Sequence, residues 1–277
     1  MSENLRHDLA PRVAITGAGG QIGSFILSHL QINGFSVFPI SKDSLWSDIT
    51  EIKPDLIINC IGRGSDFRRE CTDEEIWNSN YYVASEILNF AINNRIRFLN
   101  IGSILEKKKD YSSAYIESKR ALSALIRAYF DKSHQVTSLL TPIVYGLRTE
   151  HVLISDIFRS AITKVPVNLE SPNAIREFIH INDLVDLVIK IIELKELGNS
   201  SVEIGNGIGY KLSDLCDSVL SNYVEPTWKY TPVNGRTNDI AITADVNFIE
   251  TRLKLDQKVE LITWLKQLLD KKKVRIL

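Results

Sequence analysis

The stretch VAITGAGGQIG, residues 13–23, decides the architecture. A short β-favouring apolar run ends at Thr16 and passes into glycines at 17, 19, 20 and 23, and from Gln21 onward Ile22, Phe25, Ile26 and Leu30 recur at helical spacing. This pattern predicts a strand, a tight turn and a helix of about three turns, with Asn33-Gly34 as the stop signal. Glycine tolerates positive φ and lets another backbone approach closely. A turn built this way presents amide groups and the positive end of a helix dipole to a negatively charged ligand.

Working outward, residues 35–40 read as a second strand, and DLIINCI (55–61) and RFLNIG (97–102) are nearly continuous in apolar residues, as parallel strands covered on both faces must be. Residues 80–93 and 114–130 have helical periodicity, and a further strand is expected at 136–140. Alternation of this kind predicts an α/β fold, a doubly wound parallel sheet of the Rossmann type. Beyond Gly146 the pattern loosens into helices near 155–163 and 182–194, a strand near 202–204 and a terminal helix near 259–271. The expected division is a dinucleotide-binding domain over 12–150, completed by 176–204, with 151–277 forming a smaller, mixed, mainly substrate-binding part interleaved with it. In the first βα unit the glycine turn reads as a pyrophosphate cradle formed by Gly17, Gly20, Gln21, Ile22 and Gly23. Ile22 stands where the usual G-x-G-x-x-G spacing would need a third glycine.

The bulk numbers agree with a small-molecule protein. With 44% hydrophobic and 24% charged residues in 277, the chain can bury a large core and is not a disordered segment. Its 33 basic residues against 34 acidic ones leave a formal charge of -1, so no field favours nucleic acid or an anionic membrane. Cys60, Cys71 and Cys216 are far apart and odd in number, which fits a reducing, cytoplasmic setting. The opening MSENLRHDLAPR lacks the apolar core of a signal peptide, and no later run is long enough to span a membrane. His7, His29, His134, His151 and His180 are scattered without ligand spacing, so no metal site is expected.

The chemistry concentrates in two places. Tyr115 and Lys119, four apart on a predicted helix, emerge one turn from each other on the same face. A phenol titrates near pH 10 in water, and an adjacent ammonium is expected to lower that value and make it a usable proton shuttle. Ser103 follows the strand at 97–102, on the carboxyl edge where ligands of such sheets collect, and its hydroxyl can orient a carbonyl. At the end of the second strand the chain reads Ile40-Ser41-Lys42, with no carboxylate before Asp43. Ser41 and Lys42 suit a 2'-phosphate better than free ribose hydroxyls, so NADP(H) is favoured over NAD(H).

Taken together, these residues resemble the extended short-chain dehydrogenase/reductase family over almost the whole chain. The matching stretches are TGAGGQIG (16–23), SDIT (47–50), NCIG (59–62), Asn80, IGS (101–103), YIESK (115–119), VYG (144–146), REFIHINDLVDLVI (176–189), EIGNG (203–207), and Arg236 with Asp239. The resemblance implies that Asp48 and Ile49 contact the adenine, that Cys60, Ile61 and Gly62 line the cofactor, and that Lys119 also bonds the nicotinamide ribose. It implies that Arg176 and Arg236 contact a nucleotide-sugar substrate, Arg236 at its diphosphate, and that two chains pair through the Asn80 and Tyr115 helices.

Against the family pattern, the loop from Ser103 to Tyr115 is short, leaving Ser112 and Ser113 as rivals to Ser103, and Leu140 replaces an arginine before VYG. Lys107 to Lys109 are expected to be solvated. The loop offers only Glu106 and Asp110 as acids, which disfavours dehydration. The chain is similar to nucleotide-sugar 4-ketoreductases. The expected reaction is NADPH-dependent reduction of a 4-keto deoxysugar with Tyr115 as general acid; the alternatives are a nucleotide-sugar epimerase with tightly held NAD and a non-catalytic cofactor-binding relative.

Overall fold

The computed structural model describes residues 11–41, 45–64, 70–109, 112–130, 135–146, 152–194, 198–231, 241–247, 249–253 and 259–276. The chain divides into two compact units: one takes in residues up to Thr141 and returns for Val185–Glu203, and the other comprises Pro142–Leu184 and residues from Ile204 onward.

The first unit is built on six parallel strands: β1 (Arg12–Thr16), β2 (Ser36–Ile40), β3 (Leu56–Asn59), β4 (Arg97–Ser103), β5 (Val136–Thr141) and β9 (Ser201–Glu203), in the order β2-β1-β3-β4-β5-β9. All four residues of β3 and all six of β5 are buried, which is why these segments read as unbroken apolar runs. Between β1 and β2 runs α1 (Gln21–Ile32), which buries Gly23, Ile26 and Leu30 and stops at Asn33. A helix not foreseen from the sequence, α2 (Leu45–Ile52), precedes β3. The helix expected at 80–93 is longer and interrupted. α3 (Asp73–Trp77), opened by a capping box between Thr72 and Glu75, passes through one wide π turn (Asn78–Val83) into α4 (Ala84–Asn93). α5 (Ala114–Tyr129) starts at Ser113, whose hydroxyl accepts the Ile116 amide at 3.3 Å.

A ladder of polar side chains crosses this sheet on one rung. Thr16, Asn59, Asn100 and Ser138 are register partners on β1, β3, β4 and β5, and none is more than 1% exposed. Thr16 Oγ1 donates to Asn59 Oδ1 at 2.8 Å, Asn59 Nδ2 to Asn100 Oδ1 at 2.9 Å, and Asn100 Nδ2 to Ser138 Oγ at 3.0 Å. Buried polar groups are tolerated only when satisfied in this way. Farther along the edge, Arg97 donates to the Ile191, Ile192 and Leu194 carbonyls at the end of α7 (Ile181–Glu193), a guanidinium placed where the helix dipole is negative.

In the second unit β8 (Ile175–His180) pairs with β6 (Ile143–Tyr145), β10 (Gly209–Lys211) and β12 (Ala241–Ile242), and a separate two-stranded pair joins β7 (Val167–Leu169) to β11 (Trp228–Tyr230). α6 (Val152–Thr163), α8 (Leu212–Leu220) and α9 (Leu261–Ile276) pack Phe158, Leu215 and Leu265 into its core. Tyr145 stands 5.1 Å, centroid to centroid, from both His180 and Trp264, and its hydroxyl donates to the Val259 carbonyl at 2.8 Å. Glu177, 2% exposed, ties three backbone positions together: one carboxylate oxygen accepts the Asn206 and Gly207 amides and the other the Ala244 amide.

Candidate active site

The strand order reverses direction at β1 and β3, and in open α/β sheets the ligand crevice lies beyond the carboxyl ends of such a pair. Here β1 delivers Gly17 and β3 delivers Cys60. Gly17 has φ +70°, and a Cβ on it would lie 2.7 Å from the Cys60 carbonyl carbon and 2.8 Å from the Ile61 nitrogen. The two backbones therefore touch, a distance only glycine permits. Gly20 caps α1, its amide bonded to the Gly17 carbonyl at 2.9 Å, so the chain turns at once into the helix. Gly23 is buried against the Gly17 carbonyl, leaving no room for a side chain. Gly19 and Gly20 are exposed, and Gln21 and Ile22 half-buried. This is a cradle that a Cβ would fill and whose first helical turn supplies amides for a phosphate, so these residues fit a dinucleotide pyrophosphate.

α5 aligns Tyr115, Lys119 and Ser123 at four-residue intervals on one face. Lys119, 4% exposed, sends its ammonium to the Ile101 carbonyl at 3.2 Å and the Ile61 carbonyl at 3.4 Å, and a Cβ on Gly62 would be 3.3 Å from that nitrogen. Lys119 thus joins β4 to the Cys60–Gly62 segment. Ser103 ends β4, is 6% exposed, and opens a 3₁₀ turn (Ile104–Lys107). Its hydroxyl accepts the Leu105 amide at 3.3 Å, and its influence holds the Tyr115 phenol down. Of the three candidate serines, Ser103 is the one against Tyr115, since Ser113 caps α5 and Ser112 is exposed.

The electrostatics differ from the expectation that Lys119 lowers the phenol. Burial pushes Tyr115 up, the Ser103 hydrogen bond opposes this, and the charge of Glu106 adds to it. Lys119 is pushed down by burial, opposed by the charges of Glu106 and Cys60. The reason is geometric: the ammonium is turned toward two carbonyls, and the charge that acts on the phenol is that of Glu106. At neutral pH Tyr115 is therefore a proton-bearing phenol. Cys60 is no nucleophile, since burial, partly offset by Lys119, raises its thiol to about 12.

Other expected residues fall elsewhere. Ile49 is fully buried in the core with Ala14, Ile40 and Ile57 and presents no surface to an adenine, whereas its neighbour Asp48 is half-buried at the same helix. Ser41 is exposed after β2. Arg176 lies on β8 with Nη1 on the Ile175 carbonyl at 3.0 Å. Lys42 and Arg236 lie outside the described residues, as do Asp43, Asp110 and Asp239. Lys107 pairs with Glu203 at 2.7 Å and Lys108 is 4% exposed, so of the three loop lysines only Lys109 is an unremarkable exposed side chain.

The structure gives positions to residues that the sequence reading named without a role in the site. Asn80, in the π turn, accepts the Arg63 amide at 2.8 Å and donates to the Arg63 carbonyl at 3.0 Å and to Ser118 Oγ at 3.1 Å, pinning the loop after Gly62 to α5. Glu106 accepts the Ser103 amide at 2.8 Å, and Ser123 Oγ lies 3.2 Å from Ser138 Oγ. A signal existed for Ser123, the third residue of the Tyr115–Lys119 spacing. Among the described residues no group of His, Cys, Asp and Glu is arranged to hold a metal ion, and no helix is long and apolar enough to cross a membrane.

A doubly wound sheet with this phosphate turn and a serine, tyrosine and lysine beside it defines an NAD(P)-dependent enzyme of the extended short-chain dehydrogenase/reductase type. A model of the NAD dependent epimerase/dehydratase family matches residues 13–205, and the chain belongs to that family. It is similar to CDP-abequose synthase of Salmonella typhimurium, 25% identical over 269 residues that span 85% of this chain and 89% of that protein. Its fold is similar to that of MoeE5, solved with UDP-glucose and NAD (TM-score 0.76, 18% identity, 96% of this chain and 99% of that one). It is equally similar to the Bordetella bronchiseptica enzyme WbmG, solved with NAD and UDP (TM-score 0.77, 16% identity, 95% and 96%).

Proposed function

We propose that this enzyme reduces the 4-keto group of a nucleotide-linked deoxysugar with NADPH. The observation that carries the reading is the grouping of Ser103 at the end of β4 with Tyr115 and Lys119 one turn apart on α5, which puts a proton donor, an orienting hydroxyl and an ammonium together beside the glycine turn. The bound nicotinamide would supply hydride. Tyr115 would hold the proton at its hydroxyl for the developing alkoxide, and Ser103 would orient the carbonyl oxygen. Lys119, fixed between the Ile61 and Ile101 carbonyls, would hold the nicotinamide ribose beside Gly62. Glu106 accepts the Ser103 amide as part of the turn's cap, which counts against a role in elimination.

The likeness to CDP-abequose synthase over most of both chains supports a nucleotide-linked sugar as substrate. We assign the first unit, with Gly17, Gly20, Gln21, Ile22, Gly23, Ser41, Lys42, Asp48 and Cys60–Gly62, to the cofactor, and the second unit, with Arg176 and Arg236, to the substrate. A homodimer through the Asn80 and Tyr115 helices completes the proposal, and a monomeric mass in solution would overturn that part.

The test is incubation with NADPH or NADH and a panel of 4-keto nucleotide sugars, following absorbance at 340 nm and product by chromatography. Stoichiometric NADPH oxidation is expected. Interconversion of hexose epimers without net cofactor consumption would make the enzyme an epimerase, and equal or tighter use of NADH would remove the NADPH preference. Tight cofactor binding without turnover of any substrate would leave a non-catalytic relative.

A further inference from the structure

One side chain outside the Ser103, Tyr115 and Lys119 group fastens the turn that follows Ser103 to α5. Arg120 comes directly after Lys119, about 100° farther around the helix, so it leaves the Tyr115–Lys119 face and emerges on the flank. Its Nε donates to the Glu106 carbonyl at 2.9 Å, and its Nη1 donates to the Glu117 carboxylate at 2.6 Å. Taken alone, the pair with Glu117 is an ordinary ion pair within a helix and contributes little. The bond to Glu106 differs because it crosses from α5 to the 3₁₀ turn (Ile104–Lys107). Glu106 is itself folded back on Ser103. Its carboxylate accepts the Ser103 amide at 2.8 Å and occupies the space a side chain on Gly102 would take, 2.9 Å from a Cβ placed there. A continuous connection therefore runs from α5 to Ser103: Glu117 holds the guanidinium, the guanidinium holds the Glu106 backbone, and the Glu106 side chain holds the Ser103 amide. A guanidinium serves two acceptors in fixed directions, as an ammonium does not. It does so here at a penalty, since Nη2 is shut away from solvent with no hydrogen-bond partner among the described residues, which a lysine would avoid.

We propose that Arg120 is a positioning residue for Ser103, clamping the turn that follows this serine to the helix that carries Tyr115 and Lys119, so that the carbonyl-orienting hydroxyl and the proton donor keep one separation. The inference deepens the reductase reading and rests on it for the role of Ser103. Two features of the chain leave that separation to such a clamp. Ser103 is the last residue of β4, beyond which the sheet gives no support, and the far end of its turn is tied elsewhere, by Lys107 to Glu203 on β9 at 2.7 Å. Tyr115 is the second residue of α5, in the first turn, where a helix holds itself least firmly. Arg120 stands more than a turn farther in and offers a firmer anchorage. Its three nitrogens are engaged or enclosed, which leaves none for substrate. It acts through Ser103.

The experiment is a double-mutant cycle in the full chain, Arg120→Ala and Ser103→Ala alone and together, read by turnover of NADPH with a 4-keto nucleotide sugar and by hydrogen–deuterium exchange of the free protein. R120A is expected to lose about 10- to 100-fold in kcat, the worth of a hydrogen bond from a charged group, with NADPH affinity within about threefold of wild type. In the S103A background the same substitution is expected to change kcat by less than about threefold, because the group it positions is gone; a merely structural role would give the same loss in both backgrounds. Amide exchange over 103–107 is expected to quicken about fivefold or more in R120A, with α8 in the second unit unchanged. Arg120→Lys, which keeps the charge and offers one nitrogen to two acceptors, covers the case in which R120A does not fold, and should show the same pattern with a loss of about three- to tenfold. Equal losses in both backgrounds, an undiminished kcat, or unchanged exchange over 103–107 would overturn the proposal. The exchange needs neither cofactor nor substrate, so it decides on the clamp even where wild-type protein oxidises no NADPH, the result that sinks the reductase reading instead.

Discussion

Alanine placed at Gly17 and at Gly19 should have opposite consequences, although the two positions are neighbours in one turn. At Gly17 the backbone has φ +70°, a conformation costing an L-residue about 1–2 kcal/mol. The new methyl would also sit 2.7 Å from the Cys60 carbonyl carbon, 2.8 Å from its oxygen and 2.8 Å from the Ile61 nitrogen. Carbon contacts are comfortable at about 3.5–4.0 Å, and these partners are backbone, so relief requires β3's continuation to move. Overpacking of this kind costs roughly 1–3 kcal/mol. The sum is about 2–5 kcal/mol, a large part of the roughly 5–15 kcal/mol that keeps a domain folded. At Gly19 a Cβ would meet nothing within 4 Å and φ is not in the left-handed region, so Gly19→Ala should change stability by less than about 0.5 kcal/mol. Urea unfolding followed by fluorescence measures both. Because the displaced segment is also the proposed cofactor wall, NADPH titration of Gly17→Ala should show at least a tenfold loss of affinity. The reasoning is refuted if Gly17→Ala unfolds with wild-type stability, or if Gly19→Ala is destabilised as much as Gly17→Ala.

Tyr115→Phe should lose roughly 10²–10⁴-fold in turnover while binding NADPH within threefold of wild type; retention of more than a tenth of the rate would remove Tyr115 as the acid. Glu177→Gln keeps shape but turns an amide donor toward backbone amides that need an acceptor, and should cost about 2–4 kcal/mol in urea unfolding; a loss under half a kcal/mol would contradict the three-amide staple. Cys216 is fully buried, and burial first, then the charges of Asp217 and Asp156, push its thiol from 9.0 to about 12. Above pH 9 the unfolded chain sheds a proton that the folded chain keeps, so this contribution to stability is intact below pH 9 and is lost as pH rises toward 12, by at most about 1.4 kcal/mol per pH unit. The decline between pH 9 and 11 should be shallower in Cys216→Ala, and parallel declines would count against it.

The sheet was readable because its central strands are buried on both faces and its turn residues are glycines with distinct tasks. α1, α5 and strands β1 to β5 follow directly from periodicity and stop signals. The second unit was less legible. β7, β10, β11 and β12 are two or three residues long, too short for any alternation to show, and are held by tertiary pairing. The π turn at Asn78–Val83 is invisible to a 3.6-residue pattern because one wide turn leaves the flanking apolar spacing nearly intact. In the site, the Tyr115–Lys119 spacing placed both residues on one face, but which charge acts on the phenol depended on where the ammonium points. Glu106 was set aside as a loop acid. Its role in a capping box three residues after Ser103 was spelled in the sequence; the Thr16–Ser138 rung needed the strand register.

The grip of Arg97 on the last carbonyls of α7 has a bearing on how the protein is made. The outer margin of the six-stranded sheet is closed by β9, a piece of chain emitted some sixty residues after β5. During synthesis β5 must therefore wait with its pairing groups bare while the ribosome delivers the whole of Pro142–Leu184. A gene cut anywhere in that interval yields an amino-terminal product with an open, sticky border and an arginine without its helix. Halves of this protein should accordingly be recovered only when produced together.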